Sequence, residues 1–351
     1  MFELTLEINQ KCNLKCKYCY LNEKNNSTMP LHIAIRSISQ IVQKVIKEDD
    51  RKIVINFLGG EPLIDFTLIQ DIVDYCGRIK GIKFKYTIST NGILLDEEMV
   101  RFFIKYSFTI KISLDGREHV NDVNRVDFKG EGSYKFVNRK IPLLNEYQKK
   151  TRKIVQVTSV FTADTIEHYS DTLEYLVNVK NFRYISTTLD TNTIWSIDEK
   201  KVIEYEIRKA FDFFLESFKR GNPFYWKNAF TYYNNLGKER ERVCGAGNLF
   251  YYVACDGRIF TCGLGVARNS SIGNIQNGGI AKDRLWELYE KRRENMRNCI
   301  QCSYKVSCNS YPCLYLDTTE DNLSCELFRI YRKIYYEKKA EYDQLIKNFR
   351  L

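Results

Sequence analysis

Twelve cysteines, unevenly spaced, constrain this chain more than any other feature of its sequence. They stand at positions 12, 16, 19, 76, 244, 255, 262, 299, 302, 308, 313 and 325. Three lie within residues 12–19 and eight within residues 244–325, with Cys76 alone between the groups. Twelve among 351 residues falls far short of the ~8–10% of a disulfide scaffold. The opening MFELTLEINQKC has no basic stretch followed by an apolar one, and no run reaches the ~18–20 apolar residues of a bilayer span. The chain therefore reads as cytoplasmic with no membrane partner. Thiols stay reduced there, so clustered cysteines point to metal or redox chemistry. Two separate soft-metal regions are implied.

A chain this long suggests two domains, or one large α/β unit with an appendage. Hydrophobic residues at 44% and charged residues at 28% exclude a mostly disordered chain. Residues 1–190 alternate strand and helix patterns. Strands are predicted at 2–8, 53–58, 83–89, 109–114, 154–161 and 182–189. Helices are predicted at 31–46, 65–79, 96–106, 133–147 and 165–179, and residues 115–132 read as a loop. Six such βα repeats predict a parallel sheet curled into a partial (β/α)6 TIM-like barrel. Beyond it come a helix at 198–220 and an aromatic-rich stretch at 224–237. A hairpin follows at 249–254 and 258–261, turning on Asp256-Gly257. Residues 282–297 read as a helix, 299–325 as a loop-rich thiol region and 326–349 as a closing helix. The expected domains are 1–195 for the barrel, 196–243 for a helical bridge, 244–327 for the cysteine-rich unit and 328–351 for the last helix.

The formal charge of +10 is not a nucleic-acid signature, because Lys and Arg are scattered rather than gathered into a stripe. Solvated helix faces account for them, and no nucleic-acid partner is expected.

Cys12, Cys16 and Cys19 form C-x3-C-x2-C directly after the first predicted strand. In a barrel, active sites are built from the loops that follow the strands. Three thiolates can hold three irons of a cubane and leave the fourth iron free. A structural zinc site wants four protein ligands, and no fourth Cys or His lies in this loop. Downstream, Gly59-Gly60-Glu61-Pro62 ends the second strand, Ser89-Thr90-Asn91-Gly92 the third and Ser113-Leu114-Asp115-Gly116 the fourth. The later cysteines read C-x17-C, then C-x2-C-x5-C-x4-C, then a last cysteine after eleven residues. Taken alone, C-x2-C there is equally a zinc-ribbon element.

KCNLKCKYCY resembles the cluster loop of the radical S-adenosylmethionine superfamily. The resemblance implies a [4Fe–4S] cluster on Cys12, Cys16 and Cys19, with the open iron chelated by the amino and carboxylate groups of S-adenosylmethionine. It further implies one-electron cleavage of that cofactor to a 5′-deoxyadenosyl radical. Tyr18 matches the aromatic position near the adenine. Gly59, Gly60 and Glu61 resemble the motif that meets the methionine ammonium. Ser89, Asn91, Ser113 and Asp115 resemble polar groups that reach the ribose and methionine, Asp115 being equally a turn cap. Arg125 matches an arginine that grips the cofactor carboxylate, or is a plain loop residue.

The C-terminal pattern resembles the SPASM extension of radical enzymes that modify peptides. That implies two auxiliary [4Fe–4S] clusters, three clusters in all. One would use Cys244, Cys262 and Cys313, with an open fourth site or with Cys255. The other would use Cys299, Cys302, Cys308 and Cys325. Four residues separate Cys308 from Cys313, including Pro312, where the extension usually has three. Cys76 reads as a core thiol.

The implied substrate is a ribosomally made precursor peptide that receives a thioether, carbon–carbon or carbon–oxygen cross-link. The alternative is oxidation of Ser or Cys to formylglycine in a sulfatase. The sulfatase pattern has Asp after the cysteine matching Cys262, where this chain has Gly263. The catalytic base is not identified by any motif. An external reductant such as flavodoxin or ferredoxin is implied. With the cluster loop starting at residue 12, leader recognition is expected from a separate protein or from the body of the enzyme. A different class of reading is a zinc or iron–sulfur electron-transfer protein. Anaerobic reconstitution should load about two or three cubanes' worth of iron and acid-labile sulfide per chain. Zinc without sulfide would exclude the radical enzyme.

Overall fold

The computed structural model describes residues 1–21, 24–190, 193–233, 244–295, 297–304, 308, 313–315, 323–346 and 349. Pro312 and the end of the aromatic-rich stretch lie outside the described residues. Six strands form the expected parallel array: β1 (Phe2–Glu7), β2 (Lys52–Leu58), β3 (Lys83–Thr90), β4 (Thr109–Ser113), β5 (Gln156–Phe161) and β6 (Tyr184–Leu189). A short β7 (Tyr225–Trp226) extends the array beyond β6. On the other side, β8 (Phe250–Val253) pairs in parallel with β1. The antiparallel strands β9 (Arg258–Phe260), β10 (Gly273–Asn274) and β11 (Gly279–Ile280) follow. The order β11-β10-β9-β8-β1-β2-β3-β4-β5-β6-β7 makes one sheet of eleven strands. The C-terminal hairpin is thus grafted onto the barrel sheet through β1.

Register fixes where the loops emerge. Glu7 pairs with Leu58, Phe57 with Ile88, Thr90 with Ile112 and Ser113 with Thr158. The cysteine, GGEP, STNG and SLDG loops therefore leave one edge of the sheet together. Alternation along the strands sends Ile53, Ile55 and Phe57 into the core with no exposed surface. Over this face lies α1 (Leu31–Lys47), whose buried Ile33, Ala34, Ile38, Ile41 and Val45 recur at helical spacing.

Three expected elements differ in detail. The predicted loop 115–132 contains α2 (Glu118–Asn124), whose sequence EHVNDVN carries too few apolar residues to show a period. Tertiary hydrogen bonds hold it instead: Asn121 Oδ1 accepts from the Asp115 N–H and Asn121 Nδ2 donates to Ser133 Oγ. The predicted helix 133–147 is two helices, α3 (Tyr134–Asn138) and α4 (Ile141–Thr151). Pro142 lacks an N–H and starts a helix more readily than it continues one. The closing helix begins earlier than expected and is two helices, α5 (Leu323–Glu337) and α6 (Lys339–Ile346), so Cys325 is helical. Among the described residues, no helix is long and apolar enough to cross a membrane.

Trp226 on β7 is fully buried against Phe211, Phe214 and Tyr331, and its Nε1 donates to Thr187 Oγ1 at 3.0 Å. Trp226→Ala should cost about 3–5 kcal/mol in urea unfolding; a loss near zero would show that β7 contributes nothing to the sheet's packing.

Candidate active site and thiol clusters

The cysteine loop is clasped from two sides. On one side the Gly60 N–H donates to the Asn9 carbonyl at 2.9 Å, and the Glu61 N–H donates to the Lys11 carbonyl at 2.7 Å. The approach is so close that a Cβ on Gly60 would lie 2.2 Å from the Lys11 carbonyl oxygen. Asp65 adds side-chain contacts to Asn9 at 2.7 Å and Lys11 at 3.2 Å. On the other side the Lys15 N–H donates to the Val126 carbonyl at 2.7 Å, and the Lys17 N–H to the Asn124 carbonyl at 3.0 Å. The helix α2 thus ends by strapping the cysteine loop and delivering Arg125 beside it.

Between these clasps lies a cavity of about 400 Å³. Cys12, Cys16 and Cys19 share its wall with Tyr18, Gly59, Gly60, Ser89, Asn91, Ser113 and Arg125. Burial raises the Cys12 and Cys16 thiols, while Lys24 pulls both down and Arg125 pulls Cys16 down. Three thiols, two cations, one carboxylate (Asp190), several hydroxyls and bare glycine backbone form a donor set suited to an anionic cluster and a zwitterionic ligand. Among the described residues, no three Cys, His, Asp or Glu side chains converge as ligands of one ion would. A cubane instead takes one thiolate at each of several corners.

Two of the expected contact residues face inward rather than into the cavity. Glu61 is fully buried, and its Oε1 accepts from Thr90 Oγ1 at 2.7 Å and the Leu63 N–H at 3.1 Å. Its Oε2 accepts from the Asn91 N–H at 2.8 Å. Burial raises its pKa against these three donors. The carboxylate ties the GGEP turn to the STNG turn, which leaves the glycines to line the cavity. Asp115 is also buried: one oxygen accepts from the Val160 N–H at 3.0 Å and the other from the Tyr18 hydroxyl. Arg125 Nη1 donates to that same hydroxyl at 2.9 Å. Tyr18 is thereby locked between Asp115 and Arg125. Burial works against the Arg125 charge, but its anionic neighbours outweigh this and keep it protonated.

Several neighbours were not marked in the sequence. Lys24 reaches the cavity from a polar stretch without a motif. Asn13 Oδ1 accepts from Asn91 Nδ2 at 2.7 Å. Leu264, which follows Cys262 by two residues, closes part of the cavity wall from the C-terminal extension. Nothing in its spacing distinguishes it from other surface leucines.

The later cysteines fall into two groups. Cys244, Cys262 and Cys313 pack around Ala246, Leu314 and Tyr315. Burial raises the Cys299 and Cys325 thiols, and the neighbouring Cys308 and Cys302 raise both further. Arg292 bridges the groups: its Nε donates to the Cys313 carbonyl at 2.9 Å, and its charge offsets only part of the rise at Cys299. Cys255 belongs instead to the barrel core. Its N–H donates to Glu7 Oε2 at 3.0 Å, and burial, with Glu7, pushes its thiol up to about 12. Cys76 is buried in the helix Phe66–Gly77, and burial pushes its thiol up to about 12.

The sequence profile of the Radical SAM superfamily matches residues 6–194. An uncharacterized protein of Methanocaldococcus jannaschii, MJ0907, is 32% identical over 178 residues, covering 50% of this chain and 59% of that protein. The radical SAM cyclopropyl synthase TigE of Paramaledivibacter caminithermalis is 23% identical, covering 93% of this chain and 72% of its own. The cysteine-type anaerobic sulfatase-maturating enzyme of Clostridium perfringens (strain ATCC 13124) is 24% identical, covering 84% and 81%. Native anSMEcpe with bound AdoMet and Kp18Cys peptide shares the fold at a TM-score of 0.78 and 20% identity, covering 98% of this chain and 99% of its own.

Asp115→Asn would leave Arg125 and Tyr18 without their buried carboxylate. The change should cost about 3 kcal/mol in urea unfolding; an unchanged midpoint would mean that Asp115 does not balance Arg125.

Proposed function

The chain belongs to the radical S-adenosylmethionine superfamily, and from that membership we propose that it is a peptide maturase using three [4Fe–4S] clusters. Cys12, Cys16 and Cys19 would hold the radical-generating cluster. The observation that carries this reading is their convergence, with Arg125 and the GGEP backbone, on a single cavity. Bound there, the cluster and S-adenosylmethionine supply a carbon-centred radical able to abstract hydrogen from an unactivated carbon.

The protein's own groups then orient and enclose. The backbone of Gly59 and Gly60 offers close approach to the methionine end, and Ser89, Asn91 and Ser113 offer polar contacts along the cavity. Arg125, held charged, faces the region where a carboxylate would bind. Tyr18 is fixed by Asp115 and Arg125 through its hydroxyl and lines the cavity. Glu61 acts at one remove, by fixing the loops.

Cys244, Cys262 and Cys313 would hold one auxiliary cluster and Cys299, Cys302, Cys308 and Cys325 the other. The burial of Cys255 in the barrel core, with its thiol beside Glu7, favours an open fourth site on the first. Leu264 joins this extension to the cavity, so the unit that would hold the auxiliary clusters also forms part of the cavity wall. On this reading residues 1–195 form the radical core, 196–243 the bridge, 244–327 the auxiliary unit and 328–351 the closing helix. An external flavodoxin or ferredoxin would supply electrons, and a separate protein or the enzyme body would recognise a leader.

The substrate proposed is a ribosomally synthesised peptide that gains a cross-link. In support, the radical SAM cyclopropyl synthase TigE matches most of this chain, and anSMEcpe, which shares the fold, binds the Kp18Cys peptide. Formylglycine formation is the second reading, favoured by sulfatase-maturating relatives of similar coverage and opposed by Gly263. Incubation of the reconstituted protein with any short peptide encoded beside its gene, and separately with a Cys- or Ser-containing sulfatase peptide, separates them. A cross-linked product loses two hydrogen atoms and does not react with a hydrazide probe. A hydrazide-reactive aldehyde would favour the second reading, and an unmodified peptide alongside turnover of a sulfatase segment would overturn the first.

A further inference from the structure

Lys24 belongs to none of the sequence motifs, yet its ammonium group enters the cysteine loop. Its Nζ donates to the Leu14 carbonyl oxygen at 2.7 Å. The N–H of the same Leu14 donates to Cys12 Sγ at 3.4 Å. One residue therefore carries two linked contacts, its N–H meeting a thiol and its carbonyl held by a cation. Leu14 is itself buried. Lys24 also lines the cavity that the three cysteines share. Among the described residues, no carboxylate forms an ion pair with it.

We propose that Lys24 is a positioning residue that holds the Leu14 turn against Cys12 and raises the reduction potential of the cluster in this loop. The proposal rests on the assignment of Cys12, Cys16 and Cys19 as that cluster's ligands. Its physical basis is the charge added on reduction. The reduced cluster carries one more negative charge than the oxidised one. A nearby ammonium and an N–H···S donor stabilise the reduced form more, so the potential rises. Arg125 contributes a second positive charge to the cavity wall, where its Nη1 donates to the Tyr18 hydroxyl, which in turn donates to Asp115. An exposed lysine on a solvated loop would leave the potential where it is.

Potentiometric titration of the reconstituted full-length holoprotein tests this. The signal to follow by electron paramagnetic resonance is the reduced cubane that responds to added S-adenosylmethionine, which separates it from any auxiliary cluster. Lys24→Met keeps the aliphatic stem and removes both charge and donor, and should lower the midpoint potential of that signal. Lys24→Arg keeps charge and donor and should restore it. Should Lys24→Met load iron poorly, Lys24→Gln removes the same charge and must show the same downward shift. An unchanged or raised midpoint in the neutral variants overturns the proposal while the ligand assignment stands. A wild-type protein without a cofactor-responsive cubane, or one whose signal survives in Cys12→Ala, overturns the assignment and the proposal together.

Discussion

Four backbone hydrogen bonds hold the cysteine loop, and the rest of the site depends on them. Two come from Gly60 and Glu61 at the end of β2, and two join Lys15 and Lys17 to the end of α2. The loop has no regular structure of its own, so three thiols would otherwise sample many arrangements. Fixing residues 9–11 against one turn and 15–17 against another orders the segment between and after them before any metal arrives. Such preorganisation is what a ligand set on a loop requires. The same clasp sets which neighbours can reach the cavity. Gly60 has no room for a Cβ beside Lys11, while Arg125 is delivered because α2 stops where the strap begins.

Buried charge is handled by the same economy of contacts. Glu61 and Asp115 sit below the cavity surface, and each is satisfied within the protein. Their removal from the wall leaves glycine backbone, hydroxyls, thiols and two cations facing the cavity, with Asp190 at its edge. Arg125 keeps its charge in a buried place because Tyr18 and Asp115 stand beside it.

Much of this was legible in the sequence because its signals are local. The alternation of strand and helix periods specified the parallel sheet, and the Asp256-Gly257 turn specified the hairpin of β8 and β9. Cysteine spacing singled out the loop at 12–19 because three thiols in eight residues have few other uses. What stayed hidden depends on tertiary contact. The helix α2 is polar and is held by Asn121, so no apolar period announces it. GGEP and SLDG were visible as motifs, but the inward turn of Glu61 and Asp115 arises from partners 29 and 97 residues away. Lys24 and Leu264 carry no spacing signal, and only folding brings them to the cavity. The parallel pairing of β8 with β1 likewise joins segments some two hundred and forty residues apart, which no local pattern encodes.

The central claim is that the cavity beside Cys12, Cys16 and Cys19 generates a radical from S-adenosylmethionine. Its most direct test is the yield of 5′-deoxyadenosine from anaerobically reconstituted protein under dithionite, compared between wild type and Cys16→Ala. The account predicts product from the wild type and none above background from Cys16→Ala, with the auxiliary cysteines intact in both. Continued cofactor cleavage by Cys16→Ala would contradict it.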